Sequence, residues 1–399
     1  MLLVLFLITA SLAVSFDLSK DDMVLFSEFK SQFSRKYETP VEEEFRFQIF
    51  KANLAKFRKH NAANKGYTMG INIFADKTSE EIHLPFAKTL KMKAQKSYFK
   101  KDLPKYQPKN TSKLASIPDS YASCGSESDV NYCANINIDQ GLCGSCYAVS
   151  VAQQYTTLYA YLTEQNGAIK RQEMSAQQLI DCSKKWTGCE GGLSDDVLDG
   201  TTYPQIASDY SRDYQYLFTE NGKQFSCDTQ EAKSPMKTSY TTFHGKSWSQ
   251  LKEIIYNNKG FVSGIKAEDD LSYYTGGIYT SSACMNQVTD HMIVVDGYGE
   301  CDGIKYLWVR NSWGKDWGVE NGHFKILFDT LCGINGDDEG QQDVNYVVTG
   351  TLTSYSTSVN EGVTIWDDVK DLQGCVLIGN GVMGMMSLTI LTLLVLLVF

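Results

Sequence analysis

The most informative stretch of this 399-residue chain is Gln140-Gly141-Leu142-Cys143-Gly144-Ser145-Cys146-Tyr147-Ala148. Apolar residues recur after it at helical spacing as far as Asn166-Gly167, which predicts a helix that begins near Cys146. A cysteine at a helix N-terminus lies at the positive end of the helix dipole, which stabilises its thiolate. The glycines before it allow a reacting carbonyl to approach the backbone closely. The stretch therefore indicates that Cys146 is a nucleophile.

Cys143 and Cys146 also make a Cys-x-x-Cys pair, a pattern typical of redox centres and of one half of a zinc site. A zinc site would need a second pair at similar spacing, which the sequence lacks. We therefore expect neither a metal nor any other cofactor. A cysteine nucleophile instead needs a neighbouring imidazolium to lower its pKa, and so the histidines are the next candidates.

The chain has five histidines, and His291 stands in the most suggestive context. It opens the run Asp290 to Gly299, whose β-branched residues predict a buried strand that ends in a glycine turn. The run Lys305 to Gly314 predicts a second strand that ends at Asn311. A lone histidine on an apolar strand is usually a core residue. The spacing of His291 to Asn311-Ser312-Trp313-Gly314, together with the cysteine earlier in the chain, nevertheless favours catalysis.

Composition is that of a folded, secreted protein. The chain is 43% hydrophobic and 21% charged, and it is too long for one average domain. A formal net charge of −10 argues against a nucleic-acid partner. Most of the 11 cysteines lie between Cys124 and Cys332, which is typical of an oxidising compartment. Their odd number leaves at least one thiol outside the disulfides.

The N-terminus predicts a signal peptide at residues 1–15. Leu2 to Val14 is mostly apolar, and Ala13-Val14-Ser15 supplies small residues for cleavage. The alternative, a buried first helix or strand, is disfavoured because the run is short and opens the chain. The following residues, 16–115, are rich in lysine and free of cysteine, and they end in a polar linker with the glycosylation sequon Asn110-Thr111-Ser112.

The C-terminus holds a second hydrophobic segment. Residues 375–399 carry no charged side chain, and no basic residue follows them. The small residues Gly374, Gly379, Asn380 and Gly381 precede the aliphatic run Leu388 to Phe399. This pattern suits a lipid-anchor signal whose tail is removed. A transmembrane helix is the close alternative, since about 20 apolar residues cross a bilayer, and a core helix is disfavoured because the segment ends the chain. Residues 338–374, rich in Ser, Thr, Asp and Gly, predict a polar stalk.

Two motifs stand out within residues 16–115. Six residues spaced by four, four, three, four and four positions predict one face of a helix. They are Glu42, Arg46, Phe50, Asn53, Phe57 and Asn61. The run Gly70-Ile71-Asn72-Ile73-Phe74-Ala75-Asp76 has the alternation of a strand.

These motifs resemble the papain family of cysteine proteases, in particular a cathepsin L-like precursor of the protozoan type with a hydrophobic C-terminal tail. The helix face resembles the interspersed Glu-Arg-Phe-Asn-Ile-Asn signature of its prosegments, with Phe57 in place of Ile, and residues 70–76 resemble the Gly-Asn-Phe-Asp motif. The resemblance implies an α+β fold of two lobes, a helical lobe and a β-barrel-like lobe, preceded by a helical inhibitory prosegment. That prosegment would cross the active-site cleft in reverse and block it until it is cleaved.

The resemblance also implies boundaries and roles. It places an inhibitory propeptide at residues 16–115 and a papain-like peptidase domain at residues 116–337. The Gln140 side chain and the Cys146 backbone N–H would form an oxyanion hole. His291 would act as the base, held by Asn311.

The same family resemblance also implies disulfide pairs and substrate-binding residues. The implied disulfides are Cys143–Cys189, Cys182–Cys227 and Cys284–Cys332, while Cys124 and Cys133 are close enough to bridge and Cys301 has no assignment. The implied substrate-binding residues are Gly191, Gly192, Leu193, Ser194, Ile265, Met292 and Asp337. An acid such as Asp337 on a pocket floor would attract Arg or Lys two residues before the cleaved bond. His323, where the family commonly has Tyr, is interpreted as structural.

We therefore predict a cysteine endopeptidase that is made as a zymogen, acts on proteins or peptides as a monomer, and is inhibited by its own propeptide. Tyr147 stands where the family usually has Trp, and relatives of the dipeptidyl-peptidase kind also carry Tyr, so an exopeptidase is an alternative. A catalytically silent surface adhesion protein on a protease scaffold is a second alternative. The expected location is the secretory pathway, in lysosome-like vesicles or at the cell surface, with the tail anchored in a membrane.

Overall fold

The computed structural model describes residues 16–82, 104–107, 117–125, 130–133, 138–141, 143–183, 188–207, 225–227, 230–285, 287–336 and 345–357. The predicted signal peptide, the Asn110 sequon and the hydrophobic tail lie outside these residues. The polar stalk predicted at residues 338–374 is wrong in part, because Asn345–Leu352 form a largely buried strand that pairs with Met236–Phe243 in the sheet. Among the described residues, no helix has both the length and the apolar character that a membrane crossing requires.

The first described region is built on two helices, α1 (Asp22–Gln32) and α2 (Pro40–Ala62). Asp21 and Thr39 cap them by accepting hydrogen bonds from backbone amides of the first turns. Phe26 of α1 packs on Phe50 of α2, with ring centroids 5.2 Å apart. Helices in proteins gain most of their stability from tertiary packing, and this aromatic contact with α1 supplies part of it for α2.

Polar side chains on the predicted face of α2 form hydrogen bonds with the chain segment that follows the helix. Asn61 donates to the Met69 carbonyl at 2.8 Å and accepts from the Met69 amide at 2.9 Å. Asn53 donates to the carbonyls of Ala75 and Lys77, at 2.9 and 3.0 Å. The predicted helix is therefore confirmed, and its predicted face both buries Phe50 and Phe57 and holds residues 67–77 in place.

The strand predicted at residues 70–76 is wrong. Strand β1 is shorter and lies earlier, at Tyr67–Met69, and residues 72–77 form turns and a bend. The Asn72 side chain accepts from the Phe74 amide at 2.9 Å, and the Ala75 amide donates back to the Asn72 carbonyl. This local side-chain bond competes with strand pairing, which the alternation of residues could not reveal.

The helical lobe is arranged around the helix predicted after the nucleophile. That helix, α3 (Cys146–Glu164), is buried along nearly its whole length and packs against α4 (Ala176–Cys182) and α5 (Ser194–Gly200). Ser175 caps α4 by accepting from the Gln178 amide at 3.1 Å.

The second lobe is a mixed sheet flanked by α6 (Trp248–Asn258). Its strands are β2 (Tyr121–Ala122), β3 (Met236–Phe243), β4 (Phe261–Ile265), β5 (Tyr274–Tyr279), β6 (His291–Cys301), β7 (Ile304–Arg310), β8 (His323–Leu327) and β9 (Asn345–Leu352). The strand order is β1-β5-β8-β7-β6-β4-β9-β3, and β2 pairs with β6. The prosegment strand β1 therefore extends the sheet by pairing antiparallel with β5. Both strands predicted around His291 and Asn311 are present.

Disulfides fix the loops of both lobes. The structure contains Cys143–Cys189, Cys182–Cys227 and Cys284–Cys332, which are the implied pairs, and also Cys124–Cys133. Cys301, which had no assignment, is also disulfide-bonded. Each bond contributes on the order of 2–4 kcal/mol by restricting the unfolded chain. Cys146 keeps its thiol.

Candidate active site

Cys146 is the first residue of α3, as the sequence predicts, and its side chain is buried. The preceding turn is fixed by the Cys143–Cys189 disulfide and by a 3.0 Å hydrogen bond from the Gly144 amide to the Cys189 carbonyl. Gly141 opens the turn with φ of 55°, in the left-handed region that favours glycine. The thiol therefore sits at the positive end of a long helix dipole, which favours its ionised form.

His291 and Asn311 meet across two neighbouring antiparallel strands, β6 and β7. His291 Nε2 lies 2.7 Å from Asn311 Oδ1, and both side chains are buried. The amide oxygen can only accept, so this contact places a proton on Nε2 and fixes the tautomer. Proton exchange with a thiol then falls to Nδ1. The Trp313 ring stacks on the imidazole at 5.2 Å and shields the hydrogen bond from water.

Helix α3, which begins at Cys146, packs against β6, which begins at His291. Cys146 belongs to the same apolar cluster as Met292, which follows His291, and Val294. Cys146 therefore begins a helix packed on β6, His291 opens β6, and Asn311 follows the last residue of the neighbouring strand β7.

Gln140 is held at both ends of its buried amide. Nε2 donates to the Cys143 carbonyl at 2.9 Å, and Oε1 accepts from the Ser312 hydroxyl. The Gln140 amide also donates to the Ser312 carbonyl at 2.8 Å. An amide nitrogen carries two hydrogens, and the bond to the Cys143 carbonyl uses one of them. Ser312 was not among the predicted site residues, although its place between Asn311 and Trp313 was a usable signal.

Residues predicted to bind substrate lie on both lobes. Gly191, with φ of 93°, and Gly192 follow the Cys189 turn and lead into Leu193 and Ser194 at the start of α5. Ile265 faces His291 in the ladder between β4 and β6, and Met292 faces Gly264. Asp337 lies outside the described residues.

Tyr147 fills a buried position behind the nucleophile. Its hydroxyl donates to the Gly188 carbonyl at 3.1 Å, and its own carbonyl accepts from the Ser194 hydroxyl at 3.0 Å. Burial, with a further contribution from Cys146, raises the pKa of Tyr147 well above its usual value. The hydroxyl therefore stays protonated and acts as a tether between α3 and the next loop.

The prosegment lies directly over this site. Phe74 packs edge-on against Trp313 at 5.6 Å, and Asn72 donates to the Ser272 carbonyl at 2.9 Å. A cavity of about 300 Å³ between the two regions is lined by residues of both, including Phe74, Lys77, Asp139 and Trp313. Access to the His291 and Asn311 pair from the Trp313 side is therefore restricted while the prosegment is in place.

Comparison with known proteins agrees with this arrangement. Residues 126–340 match the model of the papain family cysteine protease, and residues 26–82 match that of the cathepsin propeptide inhibitor domain. A cathepsin L-like proteinase of Phaedon cochleariae is 30% identical over 330 residues, which cover 78% of this chain and 91% of that protein. Pro-cathepsin H of Medicago truncatula is 28% identical over 320 residues, covering 78% of this chain and 83% of that protein.

Solved structures agree as well. Procathepsin L2 proteinase from the larval midgut of Tenebrio molitor is similar with a TM-score of 0.65 and 25% identity, covering 83% of this chain and 100% of that one. Digestive procathepsin L 3 from the same source is similar with a TM-score of 0.63 and 23% identity, and the match covers 83% of this chain and 99% of that one. The predicted two-lobed fold with a helical prosegment is confirmed. Because the family model spans more than half of its length, this chain belongs to the papain family of cysteine proteases and is made with an inhibitory propeptide, as a zymogen.

Proposed function

We propose that the mature protein is a cysteine endopeptidase in which Cys146 is the nucleophile and His291 the general acid and base. The observation that carries this proposal is the 2.7 Å contact between His291 and Asn311, shielded by Trp313, on strands packed against the helix that starts at Cys146. This is the geometry that nucleophile activation needs: a thiol at a helix N-terminus and a base oriented by a third group.

The chemistry runs in two steps. The Cys146 thiolate attacks the peptide carbonyl carbon, and the carbonyl electrons move to oxygen. The Cys146 amide and the second hydrogen of Gln140 Nε2 stabilise that oxyanion. The protonated His291 then gives its Nδ1 proton to the leaving amine, and a thioester forms. Water, deprotonated by His291, hydrolyses the thioester and regenerates the thiolate.

Substrate would lie extended across the cleft between the lobes. Gly191 and Gly192 offer backbone groups without side-chain obstruction, and Leu193, Ile265 and Met292 offer an apolar wall for the residue two before the cleaved bond. We include Ser194 and Asp337 in this pocket, with Asp337 favouring a basic residue there.

The endopeptidase and exopeptidase alternatives differ in their need for a free substrate N-terminus. The mature enzyme should cleave an internal bond of a peptide whose N-terminus is acetylated at a rate within about twofold of the free peptide, since no terminal amine has to be bound. Mass spectrometry of the products checks this. Loss of activity on the acetylated peptide would favour a dipeptidyl peptidase.

Failure of an epoxide directed at catalytic cysteines to label Cys146 would favour the silent adhesion protein.

We place the zymogen in the secretory pathway and the mature enzyme, a monomer, in lysosome-like vesicles or at the cell surface, anchored through residues 375–399. Four described disulfides support an oxidising compartment.

We expect acid to destabilise the folded prosegment, partly because Glu81 loses its charge at low pH. Glu81 lies 2.8 Å from Arg46 of α2 and accepts from the Thr78 amide. Burial raises the pKa of Glu81, but these two bonds outweigh burial, and the pKa lies below its ordinary value of 4.5. A lowered pKa means that Glu81 stabilises the prosegment at pH values above 4.5, and that this contribution is lost as the pH falls through the lower folded value.

Glu81→Gln should therefore speed loss of the prosegment from the full chain at pH 6 by about two- to fivefold, the size expected for a partly exposed ion pair. The difference from wild type should shrink as the pH falls from 4.5 through the lower folded pKa of Glu81, because the wild-type carboxylate then also loses its charge. Gel analysis after a pH drop follows the reaction, and Glu80→Gln, an exposed neighbour, is the matched control. Equal rates for Glu81→Gln and wild type at pH 6 would contradict the assignment.

A further inference from the structure

A buried ion pair lies behind the candidate active site. Arg310 Nε lies 2.9 Å from Asp296 Oδ2, and Arg310 Nη2 donates to Asp296 Oδ1 at 3.1 Å. The Arg310 side chain is 4% exposed and that of Asp296 is fully buried. Burial lowers the pKa of Arg310, and the charge of Asp296 opposes that shift. The two groups thus form a buried charge pair joined by one charge-assisted hydrogen bond, from Nη2 to Oδ1.

The pair joins the two strands that carry His291 and Asn311. Asp296 lies in β6 where the ladder with β7 shifts register, between Val295 and Gly297. Arg310 is the last residue of β7, immediately before Asn311. Tightening or loosening this pair therefore changes the relative position of the strand ends that present the imidazole and the amide.

The guanidinium also reaches the helix that carries Cys146. Nη2 donates to the Thr157 hydroxyl at 3.1 Å and lies 3.5 Å from the Gln153 carbonyl, both on α3. The Gln153 side chain in turn donates to the Asn311 carbonyl at 3.2 Å. One cation thus contacts all three elements from which the proposed catalytic groups come.

Stability alone is a poor explanation for such a pair. Desolvation of two charges offsets most of their attraction, and apolar residues of similar volume usually stabilise a core equally well or better. Unlike apolar contacts, the hydrogen bonds of this pair are directional, so they hold β6, β7 and α3 at fixed angles to each other.

We propose that Asp296 and Arg310 are positioning residues that hold Asn311 against His291 and thereby fix the imidazole relative to Cys146. This inference rests on the proposed function. It assigns the pair no contact with substrate, and its effect is transmitted through the Asn311 backbone and through α3.

The test is the double variant D296L/R310M, which removes both charges and keeps the volume. Mature protein is titrated with a cysteine-directed epoxide, so that rates refer to intact sites only. We expect kcat per titrated site to fall about ten- to a hundredfold, the loss that small misplacements cause, with KM within about twofold of wild type. The melting temperature should stay close to that of wild type, since the pair is replaced by apolar groups.

Two further variants complete the design. D119L/K252M makes the same substitutions at an ion pair whose Asp119 is fully exposed, and it should leave kcat unchanged. R310K keeps the cation but loses the planar fork, so its kcat should lie between those of wild type and the double variant. It also serves as the test should D296L/R310M not fold. A kcat per titrated site equal to wild type in D296L/R310M, or in R310K if that variant alone folds, would overturn the proposal. Absence of epoxide labelling in wild type would instead overturn the proposed function.

Discussion

Replacing Cys146 with alanine should lower kcat/KM for peptide hydrolysis by at least about 10⁴-fold, because no other group can form the thioester. The change removes one sulfur atom from a buried site at a helix start and leaves the disulfides in place. The variant should also keep its prosegment after acidification unless another protease is added. The measurement is therefore made twice, once on the full chain and once after the prosegment has been removed by an added protease.

His291→Ala should cost nearly as much, and the double variant no more than either single one. A thiol without its base and a base without its thiol fail at the same step, so their effects do not add. His244→Ala is the matched control, since His244 is exposed and lies outside the site. Additive losses in the double variant would mean that Cys146 and His291 act independently, and the proposed pair would then be wrong.

Local patterns predicted the elements that carry these groups. α3 and the strands β6 and β7 appear in the sequence as periodic apolar runs whose ends coincide with Cys146, His291 and Asn311. Periodicity reports which face of an element is buried, and it succeeds where burial alone decides the conformation. It failed at residues 70–76, where the Asn72 side chain bonds to the Phe74 amide and turns the chain away from a strand.

Apolar periodicity could not predict contacts between residues that lie far apart in the sequence. Ser312 reaches Gln140 across 172 positions, and Arg310 reaches Thr157 across 153. In the sequence, Asp296 and Arg310 are charges within apolar runs, and nothing local shows that they face each other. Their pairing depends on the register shift at Asp296, which is fixed only when β6 and β7 assemble.

Gln140→Ala should lower kcat by about 10²- to 10³-fold, the loss measured when one oxyanion donor is removed from such sites. KM should change little, because in the proposed mechanism the second Nε2 hydrogen stabilises charge that develops only in the transition state. A peptide aldehyde, whose adduct with Cys146 carries that charge, should bind more weakly by a similar factor. Gln165→Ala, at an exposed glutamine just beyond α3, should leave all three quantities unchanged.

The hydrogen bond from Ser312 to Gln140 allows a second, weaker substitution to be compared with Gln140→Ala. Ser312→Ala removes the hydroxyl that donates to Gln140 Oε1 but keeps the donor itself. The amide would then be held only through its contact with the Cys143 carbonyl at 2.9 Å, and it could rotate out of line. We expect a smaller loss of kcat, about three- to tenfold, the cost of one neutral hydrogen bond. In Gln140→Ala the same Ser312 substitution should have no further effect, since there is no amide left to orient. An equal effect of Ser312→Ala in both backgrounds would show that Ser312 acts elsewhere, and Gln140 would lose its assigned support.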